Sequence, residues 1–236
     1  GENIGMILGE SAQFIVLMQD SLALELGLNI HGAALSSHIH SDGYKKSISG
    51  PGAGNYLTVG KIFNEIKKHF SSEALNKTFF HAHGTSTPQN RESESHIISS
   101  ISKAFGIEAL PVTAIKSYLG HSLAAAGGDQ MISTLGSWKN NLIPGITSTP
   151  KLAENVYKEN VEFLLQNKKF EEDEFDFAVL NAKGFGGNNG TSLVASPAKT
   201  MKMLKSKYSK KDVQAYLMKK SKTDDQLSAS KQEILQ

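Results

Sequence analysis

Apolar residues along this chain fall into two patterns that alternate from the first residues to about position 195. Short apolar runs bounded by polar or glycine residues predict β-strands. Such runs occupy residues 11–19, 29–40, 78–83, 111–115, 175–181 and 191–195. Between them, apolar residues recur every three or four positions, which predicts α-helices near residues 20–27, 56–70 and 97–105. Strands that alternate with helices indicate an α/β fold.

Two glycine-rich stretches resemble nucleotide-binding loops, but neither has the required neighbours. A phosphate-binding loop ending at Gly60-Lys61 would need a glycine and a hydroxyl residue where Asn55 and Ile62 stand. The stretch at residues 183–190 leads into β-branched residues rather than into a helix, so it does not match a dinucleotide-binding loop. It predicts instead a turn between two strands, whose backbone can approach a substrate closely.

Composition narrows the class of protein and the chemistry that it can perform. The 236 residues can bury a substantial core, and no apolar run approaches the length of a membrane span. The net charge of +2 is unremarkable. No cysteine is present, which excludes disulfides, cysteine zinc sites and a thiol nucleophile from this chain. The chain opens with Gly1 rather than methionine, so we expect a processed or excised segment.

The composition changes at Pro197, after which ten lysines face four acidic residues. Helical spacing of the apolar residues predicts a helix there, and Ser209 with Asp212 predicts the cap of a second one. We predict a solvated, lysine-rich helical tail over residues 197–236, with a disordered end at residues 221–236. No aromatic platform or nucleic-acid module accompanies the lysines, so the tail is not predicted to bind nucleic acid.

Two side chains suited to chemistry follow the predicted strand at residues 111–115. Lys116 comes directly after it, and His121 stands five residues later, before a run of small residues that opens a helix. Glu94 lies three, four and seven residues before the isoleucines of an earlier helix, and therefore on its apolar face. A buried carboxylate needs a cation or hydrogen-bond donors, and we predict that Lys116 is its partner.

Two kinds of chemistry fit these side chains. His81 and His83 point to one face of their strand and, with His121, could form a three-histidine metal site. Alternatively, two neutral imidazoles could donate hydrogen bonds to one carbonyl oxygen and stabilise an enolate that forms there. The predicted lysine–glutamate pair would then control their protonation. The backbone amide of Phe185, in the glycine-rich turn, could serve as an oxyanion donor.

Three motifs stand in the order HGTSTP at residues 83–88, KSYLGH at residues 116–121 and NAKGFGGNNG at residues 181–190. Together they resemble the C-terminal signatures of β-ketoacyl-[acyl-carrier-protein] synthases in order and spacing. GESA at residues 9–12 resembles the Gly-Glu-Gly-Ala sequence of that family. The resemblance covers residues 1–195 and implies an α/β, thiolase-like fold, of which this chain is the C-terminal half; the complete fold is layered α-β-α-β-α. We therefore expect a synthase domain at residues 1–196 and the tail at residues 197–236.

The resemblance also implies a role for each matching residue. His83 and His121 would bind the thioester carbonyl and promote decarboxylation. Lys116 would be the structural and electrostatic lysine, Glu94 would support it, and Phe185 would be the gate and oxyanion-turn residue. The residues expected at the substrate are Thr85 and Thr87, as contacts of the phosphopantetheine arm, together with Gly184, Gly186 and Gly187.

The reaction implied by the resemblance is acyl transfer by decarboxylative Claisen condensation of malonyl-carrier protein with an acyl thioester, in fatty-acid or polyketide-like synthesis. No resident cofactor or metal is implied, because phosphopantetheine arrives on the acyl carrier protein. The expected partners are that carrier protein and the N-terminal half of the synthase, in a homodimer or heterodimer. No nucleic acid and no membrane span are expected, and the location implied is cytoplasmic.

This chain departs from the family pattern in four respects. It lacks the nucleophilic cysteine, so alone it should not form the acyl-enzyme. Lys183 replaces an apolar or aromatic residue, Arg91 stands where an acidic residue is common, and Asn188 replaces a threonine. The alternative is therefore a non-catalytic partner subunit or a carrier-binding module, with a histidine-based metal hydrolase third. Retention of both histidines and the lysine favours the enzyme.

Overall fold

The computed structural model describes residues 5–43 and 52–234 of the chain. The α-helices are α1 Asp20–Leu26, α2 Ala53–His69, α3 Pro88–Ala104, α4 Lys116–Leu119, α5 Ala126–Asn140, α6 Pro197–Lys207 and α7 Lys210–Ile234. The strands are β1 Ala33–Ser41, β2 Thr78–His81, β3 Leu110–Thr113, β4 Leu142–Ile143, β5 Val161–Phe163, β6 Lys168–Lys169, β7 Phe177–Gly184 and β8 Asn188–Ala195. Short 3-10 helices occupy Glu73–Lys77 and Leu123–Ala125. Within these residues, no helix combines the length and apolarity needed to cross a membrane.

Six strands form one mixed sheet in the order β1-β8-β7-β2-β3-β5. Strands β7, β2, β3 and β5 run parallel to one another, whereas β8 is antiparallel to β7 and β1 is antiparallel to β8. Strands β4 and β6 form a separate antiparallel pair. Because β2, β3 and β7 are parallel, their carboxyl ends meet at one edge of the sheet. This is the edge at which ligands bind in open α/β sheets.

Helices cover both faces of the sheet, and consecutive residues of β2 show the division. Phe80 packs with Ile62 of α2 and Ile97 of α3, whereas Phe79 packs with Trp138 of α5 on the opposite face. Both phenylalanines are fully buried. Successive side chains of a strand point to opposite faces of the sheet, and helices cover both faces, so successive strand positions need apolar side chains. This explains the continuous apolar runs in the sequence. The three layers confirm the predicted α/β class.

Most of the predicted elements are present, with small shifts of their ends. The helix predicted at residues 20–27 is α1, which ends at Gly27 in the left-handed conformation that glycine favours, with φ of 66°. The strand predicted at residues 29–40 is β1 and begins only at Ala33. The predicted turn between two strands is the β7–β8 hairpin. Part of the first glycine-rich stretch, residues 50–51, lies outside the described residues.

The strand predicted at residues 11–19 is absent, which corrects the sequence-based expectation. These residues belong to no strand, and Phe14, Val16 and Leu17 are 95%, 80% and 75% exposed. A strand needs backbone hydrogen bonds to a neighbouring strand, and residues 11–19 pair with none of the six strands of the sheet. The apolar pattern therefore does not correspond to burial within the described residues.

Helices α6 and α7 fold back onto α1 instead of extending into solvent. Leu204 of α6 and Tyr216 of α7 are buried with Leu24 of α1, and the Tyr216 hydroxyl donates to the Leu28 carbonyl oxygen at 3.0 Å. Several tail lysines pair with acids, as in Lys199–Asp176, Lys202–Asp173 and Lys207–Asp20. The tail is therefore attached to the domain and is not the solvated appendage that its composition indicated.

The end predicted to be disordered, residues 221–236, is helical in α7 as far as Ile234, and residues 235–236 lie outside the described residues. Asp224 accepts a hydrogen bond from the Asn29 side chain at 2.8 Å and pairs with Lys220, one helical turn earlier. Composition cannot reveal such contacts with α1 and the residues after it. The predicted cap of α7 is confirmed, since the Ser209 hydroxyl accepts a hydrogen bond from the backbone N–H of Asp212 at 3.2 Å.

Candidate active site

The predicted site residues converge at the edge of the sheet where β2, β3 and β7 end. A cavity of about 600 Å³ opens there. Its lining includes the predicted residues His83, Thr85, Thr87, Lys116, His121, Gly184 and Phe185. They lie at the ends of these strands or in the segments that follow them, and Lys116 and His121 stand on and after the short helix α4, so the sheet fixes where they meet. Glu94, Gly186 and Gly187 lie beside this cavity but do not line it.

His83 and His121 form a close pair. Their ring centroids lie 5.2 Å apart and the ring planes are nearly perpendicular, at 82°. The backbone N–H of Leu123 donates to Nδ1 of His121 at 3.0 Å. This hydrogen bond favours the tautomer that carries its proton on Nε2, so that Nε2 can donate. Leu123 reaches this position with a left-handed φ of 57°, a conformation uncommon for a non-glycine residue that is found at constrained sites.

Both histidines are held in the neutral form. Burial and the nearby Lys116 ammonium lower the pKa of His83 to about 3. Burial and the same ammonium lower the pKa of His121, against the opposing effect of the Asp129 carboxylate. A neutral imidazole can donate one hydrogen bond without carrying a charge itself, and for His121, whose Nδ1 accepts from Leu123, the donor is Nε2. The pair can therefore bind an oxygen on which negative charge develops.

Lys116 is the first residue of α4 and lies against the histidine pair. Its Nζ donates a hydrogen bond to the backbone carbonyl oxygen of His83 at 2.6 Å. Burial lowers the pKa of Lys116 to about 8, although the Glu94 and Asp129 carboxylates act in the opposite direction. The ammonium is thus still the main form at neutral pH, and its charge adds to the larger effect of burial in keeping the imidazoles unprotonated.

Glu94 is buried as predicted, but its hydrogen-bond partners differ from the prediction. Its carboxylate accepts from the backbone N–H groups of His83 and Gly84 at 2.7 and 2.9 Å, and from the side chains of Asn90 and Asn181 at 3.0 and 2.8 Å. The predicted Lys116–Glu94 pair is wrong as a direct contact, because the lysine reaches a carbonyl oxygen instead and acts on Glu94 only through its charge.

The carboxyl of Glu94 stays ionised despite its burial. Burial alone would raise its pKa, but the neighbouring His83 and Lys183 side chains and the hydrogen bonds from Gly84 and Asn181 outweigh this effect and lower it. A charged acceptor of four hydrogen bonds fixes the backbone on which His83 stands. Glu94 is therefore placed to hold the first histidine, from behind the cavity wall.

Sequence reasoning missed several amide side chains that support the site. Gln130 of α5 donates from Nε2 to the carbonyl oxygens of Ala82 and Asn181, at 2.9 and 3.0 Å, and so ties together the ends of β2 and β7. Asn181 and Asn55 exchange hydrogen bonds beneath Glu94. The only sequence signal was the presence of polar residues inside otherwise apolar or small-residue segments, a signal too common to single them out.

The glycine-rich turn forms the rim of the cavity. Gly186 and Gly187 have φ of 81° and 84°, so the turn of the β7–β8 hairpin requires two residues without a side chain. The Phe185 side chain is 69% exposed at this rim. The hydroxyls of Thr85 and Thr87, which also line the cavity, lie 3.1 Å apart.

The third histidine of the metal hypothesis does not join the pair. His81 is buried, its pKa is lowered to about 3 by burial, and neither ring nitrogen makes a well-formed hydrogen bond within the described part of the chain. Across residues 5–43 and 52–234, no three His, Cys, Asp or Glu side chains form a group that could hold a metal ion. The three-histidine site is therefore not formed.

Three residues that depart from the family pattern have local partners. Lys183 is buried in the cavity wall, where its Nζ donates to the Ser93 hydroxyl at 3.0 Å. Arg91 donates from Nε to the side chain of Asn155 at 3.1 Å on the surface. The Asn188 side chain donates to the Phe185 carbonyl oxygen at 2.9 Å and so braces the glycine-rich turn.

The chain is similar to known proteins over all or most of its length. A family model described as the C-terminal domain of beta-ketoacyl synthases matches residues 31–149. The chain is 44% identical to the beta-ketoacyl-[acyl-carrier-protein] synthase FabY of Pseudomonas aeruginosa, across 100% of this chain and 37% of that protein. It is 27% identical to 3-oxoacyl-[acyl-carrier-protein] synthase 2 of Vibrio harveyi, across 79% of this chain and 43% of that protein.

Solved structures agree with these sequence comparisons. The crystal structure of the ketosynthase FabY from P. aeruginosa superposes with a TM-score of 0.90 and covers 94% of this chain and 35% of that one. The ishigamide ketosynthase/chain length factor, at 22% identity, superposes with a TM-score of 0.69 over 83% and 48% of the two chains. The thiolase-like fold is thereby confirmed, and the chain spans less than half of each relative.

The tail falls inside the similarity to one relative. The sequence motifs had placed residues 197–236 outside the resemblance, yet the alignment with the P. aeruginosa protein includes the whole chain. The match to the V. harveyi protein covers only about four fifths of it. The expected limit at residue 195 is therefore wrong for the more similar of these two proteins.

Proposed function

The chain belongs to the β-ketoacyl synthase family, and we propose that it supplies the histidine pair with which such an acyltransferase decarboxylates malonyl-carrier protein. The observation that carries this proposal is the pair itself. His83 and His121 are neutral, 5.2 Å apart and adjacent to a cavity large enough for a thioester arm. The two histidines of the family's C-terminal motifs thus lie where both could stabilise the enolate that decarboxylation forms.

In the proposed reaction the thioester carbonyl oxygen of the malonyl group accepts hydrogen bonds from Nε2 of His83 and Nε2 of His121. The bond between the carboxylate and the α-carbon breaks, carbon dioxide leaves, and the electron pair forms an enolate whose oxygen the two imidazoles stabilise. The α-carbon then attacks an acyl thioester, a carbon–carbon bond forms, and a thiolate leaves. The neutral state of both rings suits this task, since each presents a donor without adding a charge to the cavity.

The acyl thioester has to be held by a group from outside this chain. The chain contains no cysteine, and we propose that the nucleophile belongs to the N-terminal half of the synthase, in the same polypeptide or in a partner. The exposed apolar segment that includes Phe14, Val16 and Leu17 supports this proposal. Contiguous apolar residues that face solvent mark a surface that another protein segment covers. The chain also spans only 37% of its relative in P. aeruginosa.

The malonyl group would arrive on the phosphopantetheine arm of an acyl carrier protein, so the proposal requires no resident cofactor. Thr85 and Thr87 are candidates for contacts with the amides of that arm. Their hydroxyls lie 3.1 Å apart in the cavity lining and remain within reach of a bound ligand. Phe185 lines the same cavity, and its exposed ring could close over the bound thioester.

The proposal is tested by the release of carbon dioxide from malonyl-carrier protein by the full-length protein that contains this chain. We expect His121→Ala to abolish release while the circular dichroism spectrum is unchanged. His31→Ala is the matched control, because His31 is exposed and precedes β1 at the opposite end of the sheet. Unchanged release by His121→Ala would refute the role of this histidine. A folded wild-type protein that releases no carbon dioxide would favour a non-catalytic subunit.

A further inference from the structure

A polar cluster beside the cavity joins three segments next to His121. Its centre is Asp129, a buried residue in the first turn of α5. The Asp129 carboxylate accepts hydrogen bonds from the Ser122 hydroxyl, from the Gln13 side chain and, at 3.2 Å, from the Ser11 hydroxyl. Ser122 follows His121 directly, whereas Ser11 and Gln13 belong to the N-terminal segment that is exposed elsewhere.

Backbone hydrogen bonds also join the N-terminal segment to the loop that carries His121. The N–H of His121 donates to the Ile7 carbonyl oxygen at 2.8 Å, and the N–H of Gly9 donates to the His121 carbonyl oxygen at 3.0 Å. The approach is close enough that a Cβ on Gly9 would lie 1.9 Å from the Leu119 carbonyl oxygen. His121 therefore stands on a loop that is fixed by residues 7–13 as well as by its own flanking helices.

Glycine also makes room for the side chain that reaches Asp129. A Cβ on Gly128 would lie 2.4 Å from Oε1 of Gln13. The absence of a side chain at Gly128 thus allows Gln13 to lie against α5. Hydrogen bonds from three side chains satisfy a carboxylate that would otherwise be costly to bury. The cluster is consequently an ordered set of hydrogen bonds between segments that lie more than a hundred residues apart in the sequence.

We propose that Asp129 is a positioning residue, which latches residues 11–13 to the His121 loop and so fixes the His121 ring for the thioester carbonyl. This inference rests on the proposed function. Asp129 does not line the cavity and has no direct role in the reaction. It acts through Ser122 and through the segment that pairs with the His121 backbone.

Asp129 also has an electrostatic effect on the pair. Its negative charge raises the pKa of His121 and of Lys116, against the larger effect of burial. The other titratable groups that face His121 are the Lys116 ammonium and the neutral His83 ring. Removal of the negative charge should therefore lower the pKa of both His121 and Lys116.

Three variants of the full-length protein separate the effect of the hydrogen bonds to Asp129 from the effect of its charge. Asp129→Asn keeps the size and removes the charge, Ser122→Ala keeps the charge and removes one hydrogen bond, and Asp129→Ala removes both. Misplacement of a catalytic group by about 1 Å can cost about 100-fold in rate, so we expect kcat for decarboxylation to fall about 10- to 100-fold in Asp129→Ala with little change in KM. Asp225→Asn, at an exposed site on α7, is the matched control.

The deciding measurement is ¹⁵N nuclear magnetic resonance of labelled histidine, with the His121 signal assigned by its loss in His121→Asn. We expect Asp129→Asn to lower the His121 pKa and to move the alkaline limb of the rate profile to lower pH. Ser122→Ala should leave the His121 pKa unchanged and reduce the rate. An undiminished decarboxylation rate in folded Ser122→Ala and Asp129→Ala would overturn the inference. Failure of wild-type decarboxylation would instead defeat the proposed function, and the latch would then be supported by a His121 ¹⁵N signal that Ser122→Ala shifts at a fixed pH and contradicted by one that it leaves in place.

Discussion

Replacement of Glu94 by glutamine tests how the buried carboxylate supports His83. Oε1 accepts hydrogen bonds from the His83 backbone and the Asn181 side chain, and Oε2 accepts from the Gly84 backbone and the Asn90 side chain. Glutamine provides only one such oxygen and places an NH₂ group where the other one stood. Two of the four donors therefore lose their acceptor in either orientation of the amide.

The neighbours decide which orientation is less costly. Asn181 cannot turn its oxygen towards the new NH₂ group, because its Oδ1 already accepts from Asn55 and Thr191. Asn90 can, since its Oδ1 is buried without a hydrogen-bond partner in the described residues. The NH₂ group should thus face Asn90 and leave the N–H of Gly84 without an acceptor.

The expected loss of stability in Glu94→Gln follows from these contacts. An unsatisfied buried donor costs about 1–3 kcal/mol, and a hydrogen bond to a charged acceptor is worth roughly 1 kcal/mol more than one to a neutral acceptor. With the two bonds to Oε1 retained but neutral, we expect Glu94→Gln to lower the free energy of unfolding by about 3–5 kcal/mol. This agrees with the cost of about 3–5 kcal/mol for removal of one partner from a buried charge network.

Urea unfolding of the full-length protein, followed by circular dichroism, measures this loss. Glu92→Gln is the matched control, because Glu92 lies on the same helix but is exposed. The pKa of Glu94 is lowered in the fold, so its stabilisation is present at neutral pH and is lost as the pH falls below the ordinary value of about 4.3. A loss of stability below about 1 kcal/mol, or one equal to that of the control, would refute the reasoning.

Three further predictions follow from other parts of the structure. Burial lowers the pKa of Lys116 to about 8, so its ammonium is lost above that pH and the decarboxylation rate should fall there. A decarboxylation rate that does not change up to about pH 10 would contradict this. Gly9→Ala would place a methyl group 1.9 Å from the Leu119 carbonyl oxygen, and we expect decarboxylation to fall about 100-fold, with wild-type activity as the contrary result. Tyr216→Phe removes the hydrogen bond to Leu28 and should lower the free energy of unfolding by about 0.5–1.5 kcal/mol in urea, whereas no change would mean that the tail is not held by this bond.

Local patterns in the sequence predicted the parts of the fold that local physics controls. The apolar run before Lys116 marked β3, and the glycines at 186 and 187 marked the turn of the β7–β8 hairpin. The position of Glu94 on an apolar helical face correctly predicted its burial. In each of these places, side-chain periodicity or backbone freedom alone determines the outcome, and a single sequence contains that information.

Contacts between distant segments could not be predicted in the same way. The apolar pattern at residues 11–19 indicated a buried strand, but Phe14, Val16 and Leu17 are exposed, because burial depends on contacts with distant segments that the local pattern does not contain. Glu94 was assigned a lysine partner because backbone N–H groups leave no trace in a sequence. Asp129 and Gln13 are 116 positions apart, and neither residue type is unusual at its own position.

The central claim is that His83 and His121 bind one thioester carbonyl oxygen. The most direct test is a crystal structure of the full-length protein with a malonyl thioester analogue that resists decarboxylation. We predict that its carbonyl oxygen lies about 2.7–3.1 Å from Nε2 of both histidines. A carbonyl oxygen that contacts neither imidazole, in a complex with the analogue fully bound in the cavity, would contradict the account.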